Sequence, residues 1–273
     1  MPALLALVSA AVFGAADFAG GYATRRLPVL TVTLLTNIVG TAMAAVLVGT
    51  VGGTWSRAAV TWGAVGGAFG LVGLLLLYEG LATGPNRLVS PLSGVISAAI
   101  PVIIGVATGD RPGGLAVAGL LFTPPAIWLV AGGDHRAAAG QRRSILLAVG
   151  AGVGFGLFFA GIAQTPDDAG AVPLLIARVT STTLLLVAAA RQRPRAPHGR
   201  EWALPVLAGL LDMTANGLFL WSSRDGDLAV VAALVALYPV TTILLAVLVL
   251  RERLSRSQTV GLVVAVTAAA LLS

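Results

Sequence analysis

Four ionisable side chains stand inside long apolar stretches of this 273-residue chain: Asp17, Glu79, Arg178 and Asp212. A charge at the centre of a hydrocarbon layer costs roughly 2.5 to 3.5 kcal/mol on insertion scales, so such groups face a cavity or a partner. Asp212 leads the set. Asn216 follows it at i+4, which puts both polar groups on one helical face. That pair could bind a substrate amine, shuttle a proton, or hydrogen-bond between helices. Asp17 lies among Gly14, Gly20 and Gly21, where backbones can approach closely, and its carboxyl either faces a ligand or is solvated at a helix end. Glu79 follows Tyr78 and precedes Gly84-Pro85, so its charge can snorkel to water.

Other chemistries find no constellation. The chain has no Cys, which removes thiol catalysis, disulfides and Cys-ligated metal. His135 and His198 both fall in Arg-rich loops, and there is no HExxH and no P-loop. The run GAGVGFG, 150–156, sits within an apolar stretch with no strand before it, so close helix packing explains it better than nucleotide binding. An enzyme, a metal site and a resident cofactor are therefore not expected.

The elements that must position these residues follow from composition. Hydrophobic residues make up 57% of the chain and charged residues 10%, and mean hydropathy is +0.94. A soluble domain needs about a quarter of its residues charged, so the missing charge implies a lipid-facing surface. Lipid satisfies no backbone N–H or C=O group, and long apolar runs without period-two alternation select helices over a barrel. The expectation is an all-α, polytopic membrane protein. The net charge of +6 does not point to nucleic acid: all the basic residues are Arg, and nearly all flank apolar runs.

Ten apolar stretches long enough to cross a bilayer run over 2–21, 29–51, 61–82, 88–108, 114–132, 144–163, 171–190, 202–222, 228–250 and 257–272. The polar segment 133–143 divides them five and five. Across it the sequence repeats at an offset of 142. Phe13-Gly14 recurs as Phe155-Gly156, and GDRPGGLAVAG from Gly109 aligns with RERLSRSQTVG from Arg251, matching Asp110 to Glu252 and Gly119 to Gly261. Trp62 and Trp202 agree with that offset within two residues. An odd number of spans per half inverts the second copy relative to the first, giving ten transmembrane helices as two inverted five-helix repeats over 1–132 and 144–273.

These residues resemble the EamA-like branch of the drug/metabolite transporter superfamily. FGAADFAGGYATRR is similar to that branch's first-helix signature, with Phe13 where Trp is more usual. LAVVAALVALYPVTTILLAVLVLRERLSRSQTVGL, from Leu228 to Leu262, is similar to its most diagnostic stretch: a Pro in the ninth helix, an acidic-basic-Leu turn, then a Gly-containing tenth helix. The first copy departs from this pattern, reading GDRP at the turn. The resemblance implies a secondary transporter or exporter of small metabolites or drugs, in a bacterial inner membrane, working by alternating access through a cavity between the repeats. The coupling ion would be a proton or sodium, the partners membrane lipid and a small-molecule substrate, and a homodimer is allowed for. It also implies that Arg178 is a structural partner for an acid, Asp17 or Asp212, or for a lipid headgroup. A non-transporting scaffold or receptor subunit is the alternative function.

On this reading Asp17, Asp212, Asn216 and Tyr238 are the substrate or coupling-ion candidates. Glu79, Pro101, Arg178 and Pro239 are structural or gating candidates. Pro91, Pro101 and Pro239 each remove a backbone donor inside a span and can kink it. Tyr238, beside Pro239, either presents an aromatic rim to substrate or packs. If the spans alternate, 13 Arg fall at one membrane face and three at the other, Arg57, Arg111 and Arg224. The positive-inside rule then places both termini outside. Familiar ten-helix relatives have both termini inside, so orientation stays unassigned at this point.

Overall fold

The structure, a computed structural model, describes residues 2–83, 86–109, 111, 113–130, 142–250 and 256–272. The described residues form eleven α-helices, with two short 3-10 turns and no strand. They are α1 (Pro2–Ala23), α2 (Val29–Val51), α3 (Arg57–Thr83), α4 (Asn86–Thr108), α5 (Gly114–Val130), α6 (Arg142–Ala163), α7 (Val172–Gln192), α8 (Ala203–Asp225), α9 (Leu228–Val235), α10 (Tyr238–Leu250) and α11 (Arg256–Leu272). The linker 133–143 lies outside the described residues except for Arg142 and Arg143, which open α6. The turn pairing Asp110 with Glu252 lies outside them as well.

The burial pattern is that of a protein whose solvent is lipid. Leu4, Val46, Ile103, Leu121, Leu248 and Val263 point outward, while Thr36, Asn37, Ser93, Ser97 and Asn216 are buried between helices. Among the described residues, seven stretches are long and apolar enough to cross a membrane, counting α9 and α10 as one. The protein is therefore an all-helical integral membrane protein. Helices α4, α5 and α11 are apolar along their described lengths, and each adjoins residues outside the described set.

The ninth expected span, 228–250, is not one helix. It breaks at Ala236–Leu237, where Leu237 N–H donates to Leu234 O at 3.1 Å and Val240 N–H to Leu237 O at 3.0 Å. Pro239 is the second residue of α10, a position at which a helix needs no intrahelical N–H donor. Pro101 leaves no such mark, because α4 runs through it unbroken. The break is held from two sides. Thr242 Oγ1 donates to Gly14 O at 3.1 Å, and a Cβ on Gly94 of α4 would lie 3.2 Å from Ala236 O.

Helix pairing is reciprocal between the two halves of the chain. Helix α1 packs along α8 as α3 packs along α6, α2 meets α7, and α5 lies along α11. Glycines set the closest crossings. Gly14 abuts Tyr238, Thr241 and Thr242 of α10, whereas Gly156, 142 residues later, abuts Ser97 and Ile100 of α4. Gly67 of α3 lies against the Ala177 backbone of α7, and Gly209 of α8 lies against Thr36 of α2. Between α2 and α7 the Thr41 and Thr182 hydroxyls share a 2.8 Å hydrogen bond across a separation of 141 residues.

Loops gather at two ends of the bundle. At one end Thr54 N–H donates to Asp168 O at 2.9 Å and Ala171 N–H to Gly52 O at 3.2 Å, tying the α2–α3 and α6–α7 connections together. Gly53 and Gly170 both have positive φ there and meet backbone to backbone, so a side chain at either would be strained and would collide. Arg224 donates to Gly170 O at 2.8 Å, and Ser222 to Pro2 O at 2.8 Å, which brings the start of the chain to this end. At the other end Arg195 pairs with Glu201 at 3.0 Å, Thr31 donates to Arg195 O at 2.7 Å, and Arg143 pairs with Glu79 at 2.6 Å.

Candidate functional site

Three helices, α2, α7 and α8, bring a polar cluster together at mid-bundle. Helix α8 brings Asp212 and Asn216 on one face, as the i, i+4 spacing requires. Helix α7 brings Arg178, whose Nη2 is hydrogen-bonded to Asp212 Oδ2. Both side chains of this ion pair are largely buried, 12% and 16% exposed. The Arg178 Nη1 group reaches Asn37 Oδ1 of α2 at 3.4 Å, and Asn37 Nδ2 donates to Thr33 O at 3.0 Å. Gly40, one turn along α2, leaves room for the guanidinium stem, since a Cβ there would come to 3.3 Å from Arg178 Cδ. Arg178 is thus fixed by one acid, one amide and a gap.

Asn216 is 2% exposed and satisfies only half of its amide. Its Nδ2 donates to Asp212 O at 2.8 Å, while its Oδ1 has no hydrogen-bond partner among the described residues. Because a carbonyl oxygen only accepts, the amide orientation is fixed by the bond to Asp212 O. A buried acceptor left unmade costs about 1 to 3 kcal/mol, an expense found where a ligand or water completes the set.

Asp212, Asn216, Arg178, Asn37 and Ser181 line one side of a cavity of about 40 Å³. Its other walls are apolar, chiefly Phe13 of α1 and Phe155, Phe158 and Phe159 of α6. Phe159 anchors that wall, edge-to-face with Phe13 at 5.8 Å and with Phe158 at 5.4 Å, and tilted on Phe219 at 4.6 Å. Glycines 67 and 70 of α3 leave the space open on the third side.

Asp17 lies one turn beyond Phe13 on α1. It is 8% exposed and makes no hydrogen bond or ion pair among the described residues. Tyr78, fully buried on α3, sets its hydroxyl against Gly20, the turn after Asp17. Tyr238 is not on the cavity wall. It is buried at the head of α10, with its hydroxyl 2.7 Å from Ser93 Oγ and donating to Ser90 O at 3.3 Å. Glu79 is outside the site, paired with Arg143 at the bundle end. Pro101 is buried within α4 and Pro239 next to the break between α9 and α10.

The structure therefore brings Asp212, Asn216 and Arg178 together, puts Asp17 beside them, and sets Tyr238 into packing. Sequence reasoning missed Asn37 and the phenylalanine wall. The signal for Asn37 lay in the repeat offset, because it stands 141 residues before Arg178.

Against known proteins, the family model of the EamA-like transporter family matches residues 142–273. No curated protein matches the chain. A solved crystal structure aligns with 99% of this chain and 97% of its own at a TM-score of 0.78, with 20% of residues identical, a likeness of fold alone.

Proposed function

We propose that the chain, whose residues 142–273 match the model of the EamA-like transporter family, is a gradient-driven transporter of small metabolites or drugs working by alternating access. The observation that carries the site is the cavity at mid-bundle whose one polar side holds the Arg178–Asp212 ion pair and the unsatisfied Asn216 oxygen. Polar groups at that depth are costly to insert, and a cavity for substrate is the usual reason they are kept.

In this reading the chain is ten membrane-spanning segments in two inverted halves, 1–132 and 144–273, with 133–143 linking them. The reciprocal glycine crossings support it: Gly14 on α10 against Gly156 on α4, and Gly67 on α7 against Gly209 on α2. The bonds Asn37–Arg178 and Thr41–Thr182, each across 141 residues, support an approximate two-fold axis between α2 and α7. The cavity lies beside that axis. The interrupted helix at Ala236–Leu237 is the hinge on one side of it, and unbroken α4 is its rigid counterpart. Proton or sodium supplies the gradient, and Asp17 and Asp212 are the carboxylates available to couple it.

The test is flux in vesicles holding the purified protein, against amino acids, sugars, nucleosides and cationic drugs. A substrate is expected to stabilise the folded state in a thermal-shift screen of the same panel. Asp212→Asn is expected to abolish flux while the protein remains inserted. Full flux in that variant would remove Asp212 from the mechanism.

For orientation, the end that carries Arg26, Arg143, Arg195 and Arg200 is proposed to face the cytoplasm of a bacterial inner membrane, with Pro2 and the 52–56 and 164–171 loops outside. Because the chain has no Cys, a single Cys at Thr54 and another at Arg200 report this directly. An impermeant maleimide added to intact cells is expected to label position 54 and spare position 200. The reverse pattern overturns the assignment.

A further inference from the structure

We propose that a second pocket, between the α1–α2 and α7–α8 connections, binds the phosphate of an anionic phospholipid. The two ends of the bundle are closed differently. The offset of 142 pairs 24–28 with 166–170 and 52–56 with 194–198, so the seal around Gly53 and Gly170 has its counterpart where the α7–α8 connection meets the α1–α2 connection. At the glycine end the chains meet backbone to backbone, with Thr54 N–H on Asp168 O at 2.9 Å and Ala171 N–H on Gly52 O at 3.2 Å. At the other end Arg195 and Pro28 stand where those glycines are. Side chains make the join there: Thr31 Oγ1 donates to Arg195 O at 2.7 Å and Arg195 Nη1 to Arg26 O at 3.4 Å. Beside this join lies a cavity of about 160 Å³, bounded by Ala23, Arg26 and Leu27 from one connection and Arg200, Glu201 and Leu204 from the other.

The cavity offers positive charge beside apolar surface. Arg26 and Arg200 make no hydrogen bond or ion pair among the described residues, and Arg26 rests over the Tyr22 ring at 5.7 Å. Glu201, the one acid in the wall, is already met: it accepts Arg195 at 3.0 and 3.1 Å and the His198 N–H at 2.9 Å. Segments 24–28 and 191–202 together carry six Arg and this single acid, whereas 52–56 and 164–171 carry two Asp and no Arg. Two guanidiniums on one cavity suit a phosphate, whose oxygens accept from both forks. Position selects a lipid over a soluble phosphate. Ala23, Leu27 and Leu204 are apolar, Trp202 is exposed at the adjoining helix start, where tryptophan anchors at the interface, and Leu207 and Leu210 continue from Leu204 as exposed residues along α8. Charge selects an anionic lipid: phosphatidylcholine would bring an ammonium to the arginines, and phosphatidylglycerol brings none. A phosphate held by Arg26 and Arg200 bridges the two connections, as backbone contact does at the opposite end.

The test uses the purified full chain, stripped in detergent until no lipid phosphorus remains. It needs no transport substrate, so failed transport leaves the site standing. The probes are dioctanoyl phosphatidylglycerol, dioctanoyl phosphatidylcholine, glycerol 3-phosphate and inorganic phosphate. The expected result is a rise in melting temperature with phosphatidylglycerol, at an affinity about ten-fold or more above phosphatidylcholine, and none with the two soluble phosphates at the same concentrations. Arg26→Gln with Arg200→Gln should remove the difference between the lipids. Arg191→Gln with Arg193→Gln takes the same charge from the same end outside the cavity and should keep that difference. All four arginines are exposed, so both double variants are expected to melt as the wild type does without lipid. Equal affinity for the two lipids in the wild-type chain, or no shift with phosphatidylglycerol, overturns the site. Equal loss in both double variants overturns it too, since general surface charge would then be the cause. A shift with glycerol 3-phosphate equal to that with the lipid assigns the cavity to a soluble phosphate and overturns the lipid.

Discussion

Replacing Arg178 by Met should abolish flux and destabilise the inserted protein by roughly 3 to 5 kcal/mol, because it leaves the Asp212 carboxylate in the bundle with no counter-charge. The companion result separates structure from function. In Arg178→Met with Asp212→Leu the charge pair becomes two apolar side chains of similar volume, and replacement of a buried pair by packed hydrophobes is often neutral or stabilising. The double variant is expected to regain most of the stability lost by the single one and none of the flux. Unfolding of the purified protein in detergent and flux in vesicles are the two readouts. An ion pair that served only to hold α7 against α8 would give a double variant that transports. A double variant as unstable as the single one would mean that Arg178 is held mainly by Asn37 and the gap at Gly40, and not by Asp212.

The same pair shows how far sequence reaches. That Asp212 and Asn216 share a face follows from their spacing alone, and it holds in α8. Which acid Arg178 meets does not follow, since Asp17 and Asp212 are both carboxylates inside apolar helices, and only the shared packing of α7 and α8 against α2 selects Asp212. Asn37 escaped notice because hydropathy marks charges strongly and a single amide hardly at all. Tyr238 was expected to rim a cavity or to pack. Its rotation about the helix axis decides between the two, and it is turned onto Ser93. Prolines were equally ambiguous: Pro101 and Pro239 carry the same local penalty, yet α4 stays whole and the ninth span breaks. At the break Gly14 brings the α1 backbone up to Tyr238 O. The expected stretches were legible as apolar runs, and seven of them are long and apolar enough to cross a membrane among the described residues.

Substitution of Gly67 by Ala is expected to destabilise the protein by about 1 to 3 kcal/mol and to reduce flux, although alanine is the better helix former by about 1 kcal/mol. A Cβ at this position would overlap the Ala177 carbonyl oxygen and come to 2.6 Å from Ala177 Cα. Both are backbone atoms of α7, so relief requires α3 and α7 to move apart. That motion acts on the site, because Ala177 precedes Arg178 and Ser181 donates to Gly67 O across the same crossing. Gly49 of α2 is the control. Nothing lies within 4 Å of a Cβ there, so Gly49→Ala should be neutral or stabilising by up to about 1 kcal/mol. Gly209→Ala tests the reciprocal crossing, where the added carbon would sit 2.6 Å from Thr36 O. If the two crossings are equivalent supports of one cavity, Gly67→Ala and Gly209→Ala lose stability and flux together while Gly49→Ala loses neither. Wild-type flux and stability in Gly67→Ala would show that α3 and α7 do not meet backbone to backbone, and the placement of Arg178 opposite Asp212 would lose its physical support.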